Sequence, residues 1–474
     1  MRTTLPLLGG RAMARALAVN AQRSVNWDPR PEPEGAKTRL VLAPTPGLVQ
    51  ADDTSTGPTR SDFVKLGEKV YWVSATSLYS RDVDGTRTTI GTVPGDGWCV
   101  LAAGFTYLVV VNGVDGFYTT GSGLTSIRTV DADFPPNPTY VAFLDGYFIV
   151  NNSATGRFFI SDLTAGNEDP TSWDPLKFAN AEADSDNATA VHVVLDRLYI
   201  SGTRSIQLFY NSGNPDFPFE SFSNGVLEWG AESPASIAIV DGLIFLLARS
   251  KGGGLDILKI AGTTASSIAD HEFLRELDGY VTSDAEGYGY SMDGMVYYVL
   301  TLPSEPMTFV YNVTSKMWYE WTSPGLERHQ SRGHGFFNGK HFVGNYSNGK
   351  IYTLDPSVFT EGGSTLIRSR TTSITHLDGR DIECSEFEIE FKKGVALITG
   401  SGSDPSVMMR YSTDGGNSMS NTLRADLGGI GDLEMRVIYR RLGQGRSYVY
   451  EFSIAEPIDA TVVAIYGDLT ALAA

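Results

Sequence analysis

Cysteine, histidine and charge are all scarce in this chain, and each scarcity removes a class of protein. The two cysteines, Cys99 and Cys384, stand far apart and form no CxxC pair. A disulfide framework or a zinc ribbon is therefore unsupported, and two buried free thiols are the plain reading. Charged residues are only 19% of the chain, and the acids outnumber the bases 55 to 37 for a net charge of −18. Such a surface repels phosphate, which argues against a nucleic-acid grip driven by counterion release. An acidic wall still suits DNA that must slide without sticking. No stretch approaches the ~20 consecutive apolar residues of a membrane helix. Residues 1–18 imitate an export signal with Arg2, Leu5, Leu7, Leu8 and the run Ala14-Arg15-Ala16-Leu17-Ala18. Their apolar core is short and is interrupted by Arg11 and Arg15, so the expectation is a protein made in the cytoplasm without a recognisable export signal.

What is abundant is glycine and aromatic residues: 51 Gly, 22 Tyr and 23 Phe. With 474 residues the chain exceeds one ordinary hydrophobic core, and this composition favours strands joined by tight turns. One unit recurs: an apolar strand, a Gly or Asp-Gly turn, a second apolar strand, and after a polar gap a third. Copies centre on Gly67, Gly104, Gly146, Arg197, Gly242, Gly294 and Gly339, separated by 37 to 52 residues. Asp145-Gly146, Asp241-Gly242, Asp293-Gly294 and Asn338-Gly339 are the dipeptides that two-residue hairpin turns demand. A repeat of ~40–50 residues built this way matches the blade of a β-propeller, whose radial closure also protects strand edges. Six or seven blades fit, because the first and last copies could share one closing blade or lie outside the ring. An open set of hairpins, or two sandwiches, is the competing arrangement.

After Leu354-Asp355-Pro356 the rhythm changes. Glu361-Gly362-Gly363-Ser364 reads as a linker, followed by alternating strands at residues 386–391, 407–412, 435–439, 448–454 and 460–466. The expected organisation is all-β: an extended N-terminal arm over residues 1–60 rich in Pro31, Pro33, Pro44 and Pro46, a propeller over 61–360, and a β-sandwich over 361–474. The arm either reaches a neighbouring subunit or wraps its own propeller.

Chemical motifs are sparse. His329, His334 and His341 form the one histidine cluster, at a spacing that matches no helical metal pair. Glu182-Ala183-Asp184-Ser185-Asp186-Asn187 has oxygen ligands for calcium but lacks the Gly and terminal Glu of an EF-hand loop, and reads as a solvated loop. Tyr411-Ser412-Thr413-Asp414-Gly415-Gly416-Asn417-Ser418 is similar to the Asp-box turn of sialidase-type propellers, without its Trp and in one copy, so its Asp is expected to brace a hairpin. There is no GxSxG elbow, no Walker loop and no strand-coupled GxGxxG; Gly252-Gly253-Gly254 is a hairpin tip. A glycosidase needs two facing carboxylates with separated pKa values, and nothing selects such a pair. No catalytic, cofactor-binding or metal residue is assigned.

Three segments carry a family resemblance. Gln22-Arg23-Ser24-Val25-Asn26-Trp27, running through Gly35-Ala36-Lys37 to Pro44-Thr45-Pro46-Gly47-Leu48, is one. The second is Asp169-Pro170-Thr171-Ser172-Trp173-Asp174-Pro175-Leu176-Lys177-Phe178-Ala179 with Ala181-Glu182, followed by Ile206-Gln207-Leu208-Phe209-Tyr210-Asn211-Ser212-Gly213 and Asp216-Phe217-Pro218-Phe219-Glu220. The third is Tyr439-Arg440-Arg441-Leu442-Gly443 with Arg446-Ser447-Tyr448-Val449-Tyr450-Glu451-Phe452. Together they resemble the packaged-DNA stabilisation proteins of short-tailed (podovirus) bacteriophages, also described as the tail hub or nozzle. The resemblance covers most of the chain from about residue 20 and is weakest in the sandwich.

It implies a virion tail component, assembled in the host cytoplasm, in a homo-oligomeric ring of six copies below the portal. The implied partners are the head-to-tail adaptor, tail fibre, spike or needle proteins, and genomic DNA passing without sequence-specific binding; no membrane is involved. Lumen carboxylates would keep the genome mobile. A propeller-type glycoside hydrolase or depolymerase, and a lectin-like carbohydrate-binding propeller, are the alternative readings.

Overall fold

The computed structural model describes residues 2–13, 21–181, 186–377 and 379–472. Within them, seven four-stranded antiparallel units are each built around a hairpin of the recurring pattern. Their inner strands are Val64–Leu66, Val100–Ala103, Val141–Leu144, Ala190–Val194, Ala238–Val240, Glu286–Met292 and Ser331–Phe337. Apolar side chains from both faces of each sheet meet those of the next, and the resulting clusters run around the ring. Leu66, Tyr71 and Val73 of the first blade pack with Leu108, Val110 and Phe117 of the second. The circle closes where Phe63, Trp72 and Tyr79 of the first meet Phe337, Phe342 and Ile351 of the seventh. Seven blades therefore form a closed propeller.

The seventh blade takes its outer strand from the far end of the chain. Gly47–Asp53 pairs antiparallel with Lys350–Asp355, from Gly47 opposite Asp355 to Asp53 opposite Lys350. Joining the first and last parts of the propeller in one sheet leaves no gap between blades. Gly335 is needed at this seam: a Cβ there would lie 2.0 Å from the Phe63 carbonyl oxygen, so only glycine lets the seventh inner strand approach the first blade so closely.

The turns follow the dipeptides. Asp145, Asp241, Asp293 and Asn338 adopt φ between +47° and +54°, and each is followed by a positive-φ glycine, as the hairpin geometry requires. The fourth blade differs. Its turn falls on Leu195 and Asp196, ahead of the strand starting at Arg197, and Leu195 sits at φ +57° with 84% of its surface exposed.

Two further sheets form the sandwich. One runs in the order Trp27–Pro31, Leu40–Pro44, Val462–Ala471, Ile382–Phe391, Val437–Arg440. The other runs Ala21–Val25, Arg368–Thr371, Val449–Ile454, Ser406–Ser412, Leu423–Asp426. Phe387, Ile389 and Val462 from the first face Phe452, Ile454 and Met409 from the second in one core.

Residues 1–60 were expected to be an arm; their described residues are extended, but they are strands of both domains. Leu5, Leu7, Trp27 and Leu42 enter the sandwich core, and Gly47–Asp53 enters the propeller. Their alternating apolar residues make each segment worth burying, which outweighs the proline content. Ala21–Val25 also pairs with Met317–Glu320 through Val25 and Glu320, so the sixth blade and one sandwich sheet are a single ten-stranded sheet. Arg15 and residues 182–185 of the acidic stretch, Glu182 and Asp184 among them, lie outside the described residues.

Candidate functional site

Three places concentrate polar side chains: the propeller axis, the seam between propeller and sandwich, and the histidine-bearing last blade. At the axis, six of the seven inner strands, together with Asp62 just ahead of the first, line a cavity of about 250 Å³. That is small even beside the ~300–1,000 Å³ of ordinary ligand pockets. Its wall is apolar where Val100, Val141, Ala142 and Val191 line it, and polar where Asp62, Tyr140, His192, Tyr288 and His334 do. Asp62 reaches solvent inside the cavity while protein surrounds it, and that desolvation pushes its carboxyl up to about 6. Burial has the opposite effect on the imidazoles, holding His192 at about 4 and His334 at about 3, so both are neutral at pH 7. The ring of His192 lies edge-on to Tyr140, with centroids 5.2 Å apart.

The seam is held by arginines. Arg370 is fully buried and donates to the carbonyls of Leu7, Gly10 and Arg23 and to the Gln22 side chain, with no carboxylate among these partners. Burial pulls its pKa down to about 9, which still leaves it charged at pH 7. Arg11 pairs with Glu276 and with Glu320, and Arg23 shares Glu320. On the neighbouring strand, buried Asp28 accepts from Tyr297 Oη at 2.7 Å and Asn312 Nδ2 at 2.9 Å. These contacts clamp the chain's first strands against the sixth blade.

The three clustered histidines separate. His329 is buried, stacks on Trp321 at 4.1 Å, and bonds Ser331 through Nδ1 and Glu361 through Nε2. His334 and His341 meet across their hairpin, Nε2 to Nδ1, at 3.0 Å. Among the described residues no three His, Cys, Asp or Glu side chains converge as metal ligands. Asp414 accepts from Ser412 Oγ, Ser418 N and Ser418 Oγ, which keeps its carboxyl well below the usual range and braces the hairpin. Asp186, which follows the acidic stretch, accepts from Thr203 Oγ1 and Arg204 N of the fourth blade. Cys99 and Cys384 are buried free thiols.

Of the axial residues, sequence reasoning singled out only His334, and that as one of three clustered histidines rather than as part of this cavity. The axial residues are spaced over some 270 residues from Asp62 to His334, and no local pattern joins them; only one-per-blade periodicity of the inner strands could have.

No curated protein sequence matches the chain. Solved structures similar to it include a streptogramin B lyase (13% identity, TM-score 0.43, 65% of this chain and 97% of that one). The Pan2 WD40 domain of Neurospora crassa (8%, 0.41, 66% and 95%) and YCF48 from Cyanidioschyzon merolae (13%, 0.42, 65% and 99%) are others. At TM-scores this low nothing about function follows from them. The family models are more specific. The bacteriophage P22 Gp10 β-propeller model matches residues 3–359, and the bacteriophage P22 Gp10 β-sandwich model matches residues 367–466. Both domains stand in the chain in that order, between them covering nearly all of it, and the first begins at the N-terminal strands that the structure weaves into both. The chain belongs to the bacteriophage P22 Gp10 family of phage tail hub and stabilisation proteins, and is a phage structural protein of the virion.

Proposed function

We propose that this protein is a hub or nozzle subunit of a short phage tail, one of a ring of copies below the portal and adaptor. The ring prolongs the DNA channel, helps to retain packaged DNA and anchors the distal tail parts, and no chemical reaction is involved. The observation that carries this reading is the match of both family domains along one chain. Two physical facts support it. The propeller axis holds a cavity of only about 250 Å³, which favours a channel that runs between subunits. A net charge of −18 suits a wall along which phosphates slide without being held.

The stitched fold fits a part under mechanical stress, because the strands of residues 21–53 tie propeller to sandwich through paired backbone. Cryo-electron microscopy of the protein mixed with portal–adaptor complexes tests the assignment. A ring of copies with a central lumen is expected, together with loss of packaged DNA from particles that lack the protein. Particles that retain their DNA without it, or purified protein that depolymerises polysaccharide, would overturn the assignment.

A further inference from the structure

Three polar side chains around the axial cavity keep unused hydrogen-bonding capacity: Asp62 is open to solvent, and His192 Nε2 is buried, where polar groups are nearly always hydrogen-bonded. Asp62 accepts one hydrogen bond, from the His334 backbone N–H at 3.0 Å, and has no ion pair among the described residues. His192 Nε2 is buried without a partner, and the Tyr140 hydroxyl has none among the described residues. All three residues line the same space of about 250 Å³, as do the aromatic side chains of Trp98 and Tyr288.

The surrounding charges leave Asp62 unneutralised. Arg332 is committed to Glu286 and lies 5.2 Å from the Trp98 ring. Both imidazoles are neutral at pH 7, and Tyr140 and Tyr288 are held protonated by burial. The cavity thus carries one negative charge, unpaired acceptors and aromatic walls. Water can satisfy its hydrogen bonds but supplies no counter-charge. A compact cation with N–H donors and a short alkyl chain supplies both, since aromatic walls attract cations and the aliphatic lining takes the chain.

We propose that the axial cavity of the propeller binds a primary alkylammonium group, with Asp62 as its counter-ion and Trp98, Tyr140 and Tyr288 as its aromatic wall. The group is delivered either by a free amine or by a lysine side chain of another protein. The site is independent of the role in the tail, because it asks only for the closed propeller.

Isothermal titration of the full-length chain at pH 7.5 tests this with n-butylammonium, Nα-acetyl-lysine amide and the neutral isostere 1-butanol. At least one of the two amines is expected to bind with Kd near or below about 1 mM. Asp62→Asn should weaken that binding at least about tenfold and Trp98→Ala about three- to tenfold, in line with a partly desolvated ion pair and a cation–π contact. Asp84→Asn, on a surface turn, should change nothing. Binding of n-butylammonium alone identifies a free amine as the source, and binding of the lysine amide identifies a protein side chain. If Asp62→Asn does not fold, the wild-type affinity should still fall as pH drops through about 6. Neither amine binding below about 10 mM, equal binding of 1-butanol, or an affinity indifferent to both Asp62→Asn and pH would overturn the proposal.

Discussion

Propeller and sandwich bury their apolar residues in different ways. The propeller divides its interior into seven clusters of 7 to 14 buried residues, each shared by two adjacent blades. The sandwich has a single cluster of 22, to which Leu5, Leu7, Trp27 and Leu42 contribute from the opposite end of the chain. Damage to one propeller cluster leaves six others, whereas damage to the sandwich core reaches every strand of the domain. The propeller is also mostly local in sequence, while the sandwich waits for segments more than 300 residues apart to meet. Loop-closure entropy therefore weighs on the sandwich.

The largest effect that would sharpen this contrast is removal of residues 1–25. That deletion takes away Leu5, Leu7, the strand Ala21–Val25 and every acceptor of Arg370, but leaves the closing strand Gly47–Asp53. Calorimetry should then show the sandwich transition lost and a propeller transition retained; loss of both would mean that the shared ten-stranded sheet makes one cooperative unit. Next is Trp27→Ala. This side chain is fully buried and donates to the Ala460 carbonyl at 3.0 Å, so denaturant unfolding should register a loss of about 3–5 kcal/mol.

In the propeller, Glu168 accepts from the backbone N–H groups of Phe105, Thr106 and Tyr107, bracing the turn of the second blade from the third. Glu168→Ala should cost about 1–3 kcal/mol by leaving those donors unpaired, with faster amide exchange confined to residues 104–107. A smaller change of opposite sign is expected for Leu195→Asn. Asparagine tolerates φ +57° better than leucine, and the midpoint should rise by up to about 1 kcal/mol.

Smallest is Asp62→Asn, because the side chain is open to solvent and screening discounts the effect of its raised pKa. A carboxyl whose folded pKa is raised to about 6 from 3.8 destabilises the fold once ionised. The penalty is absent below about pH 4, grows between 4 and 6, and is complete above 6. The variant should therefore be more stable than wild type at pH 7.5 and equal to it near pH 3.5, as read from the denaturant midpoint at both values. A gain independent of pH would break the link to ionisation.

Much of the propeller was legible because each blade announces itself locally. Asp-Gly and Asn-Gly turns and two-residue alternation mark hairpins wherever they occur, and all seven marked copies became blades. The sandwich strands after residue 380 were legible for the same reason. Less visible was the fate of residues 2–53, whose proline-rich composition points to an arm. Their pairing partners, such as Arg368–Thr371 and Val462–Ala471, lie at the other end of the chain. The fourth-blade turn was also displaced, because Leu195 is a residue that sequence rules exclude from positive φ.

By itself the sequence determined the elements: which segments are strands, where hairpins turn, and that closure into a radial array is the way to bury both faces of so many short sheets. These are short-range properties, set by side-chain alternation and by the φ preferences of Gly, Asp and Asn. Blade number, the closing strand Gly47–Asp53, the sheet shared between blade and sandwich, and the unpaired carboxylate on the axis were decided only in three dimensions. Each depends on which distant strands compete successfully for an open edge or a common cavity, and that competition is settled by packing and desolvation across hundreds of residues.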